Sequence, residues 1–78
     1  MATVTVRYWA GAKRAAGHES ESLDADSIEE LRRLLAGRPE LTRVCTASSY
    51  LVDGEQAHEG TTLTDGAIVD VLPPFAGG

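Results

Sequence analysis

One segment of the chain has the apolar spacing of a helix that is long enough to pack as a unit. It opens with a capping box, in which Ser27 is followed by Glu30. The apolar residues that follow share one helical face: Ile28, Leu31, Leu34 and Leu35. Gly37 and Pro39 stop the segment, so we predict a helix over residues 28–36. Because no second long helix is present to cover this face, the helix must pack across a sheet.

The strands of that sheet are indicated by alternating apolar and polar residues. Residues 3–9 alternate and predict the first strand, and residues 67–72 predict the last one, which stops at Pro73. Shorter strands are predicted at residues 19–23 and 48–52.

The remaining segments are predicted to be turns and connections. Asp53-Gly54 and Asp65-Gly66 are turn signals, and the first leads into a short return strand around Gln56. Residues 12–17 predict a single helical turn closed by a glycine, and residues 38–46 an irregular connection.

The order strand, strand, helix, short strands, strand predicts an α+β fold. The long first and last strands suit adjacent central positions in one mixed sheet, with the main helix packed on one face. No linker or repeat marks a second domain. We therefore predict one domain over residues 1–72, followed by an extended functional tail over residues 73–78.

Size and charge argue against several classes of function. With 78 residues, the chain buries about 60% of its unfolded surface, which leaves little room for the deep pocket of a self-contained enzyme. The net charge of −5 repels nucleic-acid phosphates and anionic lipids and favours a basic partner surface. No apolar run approaches the ~20 residues of a membrane helix, and no signal segment is apparent. We expect a soluble, cytoplasmic protein that binds neither nucleic acid nor membrane.

The side chains offer no catalytic or metal site. Cys45 is the one cysteine, so an intramolecular disulfide and a cysteine-based metal site are excluded. His18 and His58 lie too far apart in sequence to suggest metal ligands, and all three side chains are expected to be structural. No nucleophile and base have a sequence spacing that indicates a catalytic site. We therefore expect no bound cofactor and no catalysis by the chain alone.

The tail offers the chemistry that the side chains lack. The diproline Pro73-Pro74 cannot extend a strand ladder and directs the chain away from the sheet. Phe75 supplies an apolar anchor for a partner pocket. The last residues add almost no width: Ala76, Gly77 and Gly78. This pattern predicts that the carboxylate of Gly78 enters the active site of another protein. The alternative is an inert, frayed end.

A carboxylate becomes an acyl donor once its oxygen is converted into a leaving group, and adenylation by ATP does this. The chain contains neither a GxxxxGK[ST] nor a GxGxxG phosphate-binding loop, so a separate activating enzyme must use the ATP. Sulfur could then displace AMP and leave a thiocarboxylate at Gly78. Alternatively, a cysteine or lysine could take the acyl group.

Three segments carry a family resemblance. Residues 6–12 (VRYWAGA) form a strand with an Ala-Gly turn, residues 63–69 (LTDGAIV) contain Leu-x-Asp-Gly, and residues 73–78 (PPFAGG) read Pro-Pro-x-x-Gly-Gly. In these segments the chain resembles the MoaD/ThiS family of prokaryotic sulfur carriers, and most of all its molybdopterin synthase small subunits. The resemblance implies a ubiquitin-like β-grasp roll.

The resemblance also implies a reaction sequence. Gly78 would be adenylated by a MoeB-type enzyme and converted to a thiocarboxylate with sulfur from a donor protein. The sulfur would pass to cyclic pyranopterin monophosphate in molybdopterin synthesis, within a heterotetramer containing a MoaE-type large subunit. Gly78 would be the sulfur-bearing position, Gly77 the slim residue behind it, and residues 73–75 the interface segment.

Two positions depart from the family pattern, and other functions are open. Ala67 stands where an acidic residue is common, and Asp70 interrupts a strand that is often more apolar; both concern the partner contacts of that strand. The alternatives are a thiocarboxylate carrier for thiazole or cysteine synthesis, a ubiquitin-like modifier joined to lysines through Gly78, and a plain interaction module.

Overall fold

The fold is built on one mixed sheet. In the computed structural model, which describes residues 2–74, the sheet has five strands. Their bounds are Thr3–Tyr8 (β1), Ser20–Asp24 (β2), Ser49–Val52 (β3), Glu55–Gln56 (β4) and Ile68–Leu72 (β5). Three helices connect them: Ala10–Ala16 (α1), Ile28–Ala36 (α2) and Thr42–Ala47 (α3). Over this part of the chain, no helix has the length and apolar character needed to cross a membrane.

The two long strands β1 and β5 lie side by side in the centre of the sheet. The strand order is β2-β1-β5-β3-β4. β1 and β5 are parallel, with Val6 opposite Val69 and Tyr8 opposite Val71, and each is flanked on its other side by an antiparallel strand. The predicted central pairing is confirmed. Because parallel neighbours cannot be joined by a tight turn, the chain between them crosses a face of the sheet, and α2 lies in this crossing.

Helix α2 has the predicted bounds and cap. The Ser27 side chain accepts a hydrogen bond from the Glu30 N–H at 3.2 Å. Three of the four predicted apolar residues are buried, Ile28, Leu31 and Leu35, but Leu34 is 46% exposed. The prediction for Leu34 was wrong for a geometric reason. At about 100° per residue, Leu34 lies roughly 90° from the middle of the face that the other three form.

Helix α3 corrects the sequence analysis, which expected residues 38–46 to be irregular. The segment contains several β-branched residues, which favour helix weakly, and its N-cap, Leu41, makes no side-chain hydrogen bond. Tertiary packing stabilises it instead, because Leu41 is 0% and Cys45 2% exposed. Helix α1 begins at Ala10, before the predicted turn, and ends as expected at Gly17, whose φ of 82° is left-handed.

The hydrophobic core lies between the helices and the inner face of the sheet. The strands contribute Val4, Val6, Tyr8, Tyr50, Val69 and Val71, and the helices and loops contribute Ala12, Ile28, Leu31, Leu35, Leu41 and Leu63. Burial of each large apolar side chain stabilises the fold by about 1.5–3 kcal/mol. The predicted α+β class is confirmed, and the arrangement of helix and sheet is that of a β-grasp roll.

On the opposite, open face of the sheet, the central strands carry an ion pair. Arg7 of β1 donates to Asp70 of β5 from Nε to Oδ1 at 2.6 Å and from Nη2 to Oδ2 at 2.9 Å. Trp9 Nε1 donates to the same Oδ1 at 3.0 Å. These groups leave Asp70 only 5% exposed. The hydrogen bonds from the Arg7 guanidinium hold the pKa of the Asp70 carboxyl below its usual value, against the opposing effect of burial.

We expect Asp70→Ala to lower the free energy of unfolding by about 1–3 kcal/mol at neutral pH, because the Arg7 and Trp9 donors lose their acceptor. The pKa of Asp70 is lower in the fold than its ordinary value of 3.8. The contribution of the Asp70 carboxylate to the free energy of unfolding is therefore complete above the ordinary pKa of 3.8, and it is lost as the pH falls through the lower pKa of the folded state. Urea unfolding across a pH series checks this: the gap between wild type and variant should narrow in acid. A gap independent of pH would show that the carboxylate charge is not the cause.

Candidate functional site

The predicted tail lies partly within the described residues. Pro73 and Pro74 follow β5 directly, and Pro73 is buried whereas Pro74 is exposed. The other predicted site residues lie outside the described residues: Phe75, Ala76, Gly77 and Gly78. The structure therefore defines the base of the tail and the surface around it.

Strand β5 holds the base of the tail from both sides. Val71 pairs with Tyr8 of β1 and Leu72 pairs with Ser49 of β3. The Trp9 N–H also donates to the Val71 carbonyl at 3.3 Å. The strand ends at Leu72, as predicted, because the proline that follows has no N–H to donate. The tail thus starts from a central strand, the most firmly paired part of the sheet.

A groove of about 540 Å³ opens beside this point. We call it the tail-base groove and define it by six of the residues that line it: Gly11, Arg14, Arg43, Val44, Ala47 and Pro73. It lies where α1, α3 and the diproline meet. Sequence reasoning missed it because one of its walls is α3, which the sequence analysis predicted as irregular chain.

The charges at the groove differ from those elsewhere on the molecule. Five of the seven Lys and Arg side chains pair with carboxylates: Arg7, Lys13, Arg32, Arg33 and Arg38. Among residues 2–74, the exposed side chains of Arg14 and Arg43 form no such pair, and both border the groove. Glu40 also borders it and lies 3.7 Å from Arg38 Nε. The groove therefore has two arginine charges against the one carboxylate of Glu40, on a protein with a net charge of −5.

The two departures from the family pattern have structural explanations. Ala67 is 3% exposed and belongs to the core, so an acidic side chain would not suit this position. The Asp70 carboxylate accepts hydrogen bonds from Arg7 and Trp9 of the same chain. On the open face of the sheet, Trp9 and Ile68 remain 46% and 39% exposed. Apolar contacts with a partner are available there beside the ion pair.

Cys45 is a packed side chain, as predicted. It is 2% exposed, and burial raises the pKa of its thiol, which keeps it protonated at neutral pH. The Tyr50 hydroxyl donates to the Cys45 backbone carbonyl at 3.1 Å, which ties α3 to the start of β3. The residue serves the core and has no feature of a reactive thiol.

The sequence analysis did not predict a hydrogen-bonded cluster of side chains around the Glu21 carboxylate of β2. Glu21 Oε2 accepts hydrogen bonds from Tyr8 Oη at 2.5 Å and Arg38 Nη1 at 2.7 Å, and His18 Nε2 lies 3.1 Å from it. Burial raises the pKa of Glu21, but these hydrogen bonds together outweigh it, so the pKa lies below its usual value. The cluster joins β1, β2 and the segment after α2. Within residues 2–74 no group of His, Cys, Asp or Glu side chains could hold a metal ion.

Several solved structures are similar to the chain in shape. The chain is 26% identical to a protein in the complex of subunits 1 and 2 of molybdopterin-converting factor from Helicobacter pylori, with a TM-score of 0.79, covering 97% of this chain and 99% of that one. It is also 26% identical to the small archaeal modifier protein 1 of Methanosarcina acetivorans, with a TM-score of 0.84, covering 100% and 98%. A molybdopterin converting factor subunit 1 from Pyrococcus furiosus shares the fold at 18% identity, with a TM-score of 0.81 over 94% and 98% of the two chains.

The family assignment comes from the sequence as a whole. No curated protein matches the chain. The model of the ThiS family matches residues 6–78, which span the first strand, the helices, the tail-base groove and the diproline tail. The fold, the central strand that leads into Pro73-Pro74 and this match agree with the resemblance found in the sequence, and the chain belongs to the ThiS family of small ubiquitin-like proteins.

Proposed function

We propose that the chain is a sulfur carrier whose Gly78 carboxylate is adenylated and converted to a thiocarboxylate, and that it donates this sulfur to cyclic pyranopterin monophosphate in molybdopterin synthesis. The observation that carries the proposal is the sequence PPFAGG, placed directly after a central strand in a ThiS-family domain. The pairing of β5 with both neighbours up to Val71, and with β3 at Leu72, gives the tail a fixed origin.

The length of the tail suits delivery into another protein. The five residues after Pro73 span at most ~18 Å when extended. Phe75 would bind an apolar pocket of the partner, and the slim residues behind Gly78 would pass through a narrow channel. The firm base and slender end together allow the carboxylate to be presented without unfolding the domain.

The proposed chemistry takes place at the Gly78 carbonyl carbon. A carboxylate oxygen attacks the α-phosphorus of ATP, and pyrophosphate leaves as the acyl–adenylate bond forms. A sulfide equivalent from a donor protein then attacks the carbonyl carbon, and AMP leaves with the electrons of the C–O bond. The product is a terminal –C(O)S⁻ group. ATP belongs to a MoeB-type activating enzyme in this scheme, and the chain itself holds no cofactor.

Transfer of the sulfur requires a second protein. The Helicobacter pylori structure is a complex of the two subunits of molybdopterin-converting factor. By analogy, we propose that a MoaE-type large subunit receives the tail of this chain and that the two proteins together form the sulfurtransferase. On this proposal the chain is the sulfur-donating small subunit, and the heterotetramer expected from the family resemblance is its working form.

A modifier is the second candidate function, because one of the similar structures is a small archaeal modifier protein. In that case a lysine amine of a target protein, rather than sulfide, would attack the activated Gly78 carbonyl. The fold and the tail suit either role. The two candidates differ in the nucleophile that takes the acyl group.

Intact-mass spectrometry tests the activation step. After incubation with a MoeB-type enzyme, ATP and a sulfur source, wild type should gain the mass of one sulfur in place of one oxygen, and fragmentation should locate the change at Gly78. A chain that ends at Gly77 tests whether the length of the tail matters. It should react far more slowly, because its terminal carboxylate no longer reaches the same point in the activating enzyme. An unmodified wild type, with an enzyme competent on another carrier, contradicts the proposal.

Reconstitution tests the destination of the sulfur. Thiocarboxylated wild type combined with a MoaE-type subunit and cyclic pyranopterin monophosphate should form molybdopterin, and unmodified wild type should form none. Binding to the large subunit without sulfur transfer would instead indicate another acceptor, such as a thiazole or cysteine precursor.

Cell extracts separate the carrier from the modifier. The sulfur carrier should leave no covalent adducts of high mass on a denaturing gel probed for the chain. Adducts that disappear when Gly78 is deleted would support the modifier and contradict a role restricted to sulfur transfer.

A further inference from the structure

We propose that the tail-base groove is the docking site for an acidic segment of the enzyme that activates Gly78, with Arg14 and Arg43 pairing with carboxylates of that segment. The inference rests on the proposed function. It adds a contact on the folded domain to the contacts that the tail itself would make.

The charged side chains at the groove favour an acidic partner segment. Every other Lys and Arg side chain of the chain has a carboxylate partner, whereas Arg14 and Arg43 have none within residues 2–74. A guanidinium presents a fork of donors that fits a carboxylate through two parallel hydrogen bonds. The net charge of −5 predicts a basic partner overall, but charges beyond about 8 Å are largely screened at physiological salt. The local charge at the groove therefore decides which segment binds there.

The shape of the groove fits a short peptide segment. The volume of about 540 Å³ lies in the range of sites that hold several groups of a ligand. Val44, Ala47 and Pro73 provide apolar walls next to the two guanidinium groups. Gly11 has no side chain to fill the space between them: a Cβ there would lie 3.8 Å from Arg14 Nη2 and 4.0 Å from Val44 Cγ2. Glu40 also lines the groove, which thus suits a peptide whose acidic side chains lie at Arg14 and Arg43 and whose apolar side chains lie along the walls.

The groove lies next to the start of the tail. Pro73 is a wall of the groove and also the first residue of the tail. Any protein that holds Gly78 in its active site must come within ~18 Å of Pro73, the longest reach of the residues between them. Its surface is therefore close enough to contact the groove while it holds Gly78.

The activating enzyme is the partner that this position favours. A molybdopterin carrier, a carrier for another sulfur pathway and a modifier all require adenylation of Gly78 before anything else. The later acceptors differ among these functions. A fixed docking contact at the tail base therefore serves the step that they share.

Steady-state kinetics with a MoeB-type enzyme test the proposal. The rate of ATP–pyrophosphate exchange, measured at several concentrations of the carrier chain, gives kcat and the KM for that chain; the chains compared are wild type, Arg14→Glu and Arg43→Glu. Each charge reversal should raise KM about tenfold or more and leave kcat within about twofold, because it places like charges together at docking without touching the reacting carboxylate. Arg14→Lys and Arg43→Lys keep the positive charge but lose the fork of donors, so each should raise KM less than the corresponding charge reversal.

Two further variants separate the groove from general charge effects. Arg33→Glu is the matched control, since Arg33 is exposed on α2, pairs with Glu29 at 2.7 Å, and gives the same change in net charge. It should leave KM unchanged. Gly11→Leu keeps the charge but fills the groove, and leucine favours the helix over glycine. This variant should raise KM, with thermal unfolding confirming that it folds.

The outcomes are distinct. If wild type is not activated, the proposed function fails and the docking proposal fails with it. If wild type is activated and the groove variants match it, or Arg33→Glu raises KM equally, the docking proposal alone is overturned. A lower KM for Arg14→Glu would show that the groove holds the chain's own tail, and a wild-type dimer dissociated by Arg43→Glu would show that it holds a second copy. Either result also overturns the proposal.

Discussion

The parallel pairing of β1 with β5 is the constraint on which the rest of the structure depends. Two parallel neighbours require the intervening chain to cross a face of the sheet, and the crossing brings the apolar face of α2 onto the valines of the central strands. The same pairing places the end of β5 between β1 and β3. Pro73 and Pro74 therefore follow directly from a central strand, and helices α1 and α3 border the groove beside them.

The open face of the sheet shows how a charged residue can occupy a central strand. Asp70 lies in the middle of β5, where an unpaired carboxylate would be costly. Arg7, opposite it on β1, and Trp9, just beyond the end of β1, satisfy its oxygens from within the chain. The Arg7 guanidinium thus compensates the negative charge of Asp70 without any contribution from a partner protein. Recognition on this face would depend mainly on the exposed Trp9 and Ile68 side chains rather than on Asp70.

The sequence predicted those parts of the fold that local patterns encode. Alternation predicted β1 and β5, the capping box predicted the start of α2, and the diproline predicted the end of the last strand. It did not predict α3, whose β-branched residues favour helix weakly and whose stability comes from burying Leu41 and Cys45.

The tail-base groove was unpredictable for the same reason. Its lining residues come from α1, α3 and the diproline, segments distant in sequence that only the tertiary structure brings together. The tail motif could be found by inspection because its residues are contiguous. Arg14 and Arg43 are two of seven basic residues, and only their lack of carboxylate partners within residues 2–74 distinguishes them.

On the proposed function, the chemistry at Gly78 and the choice of pathway depend on different parts of the molecule. An acyl-adenylate reacts with sulfide, a thiol or an amine, and nothing in a Gly-Gly end distinguishes among them. Proteins similar to this chain include both molybdopterin-converting subunits and a modifier, which share the fold. The selection of partner must therefore depend on the surface of the folded domain, where the open face of the sheet and the tail-base groove differ in charge. On the functions proposed above, Gly78 supplies the reactive carboxylate and the tail-base groove binds the activating enzyme, so the open face of the sheet is the surface that would distinguish among the later partners.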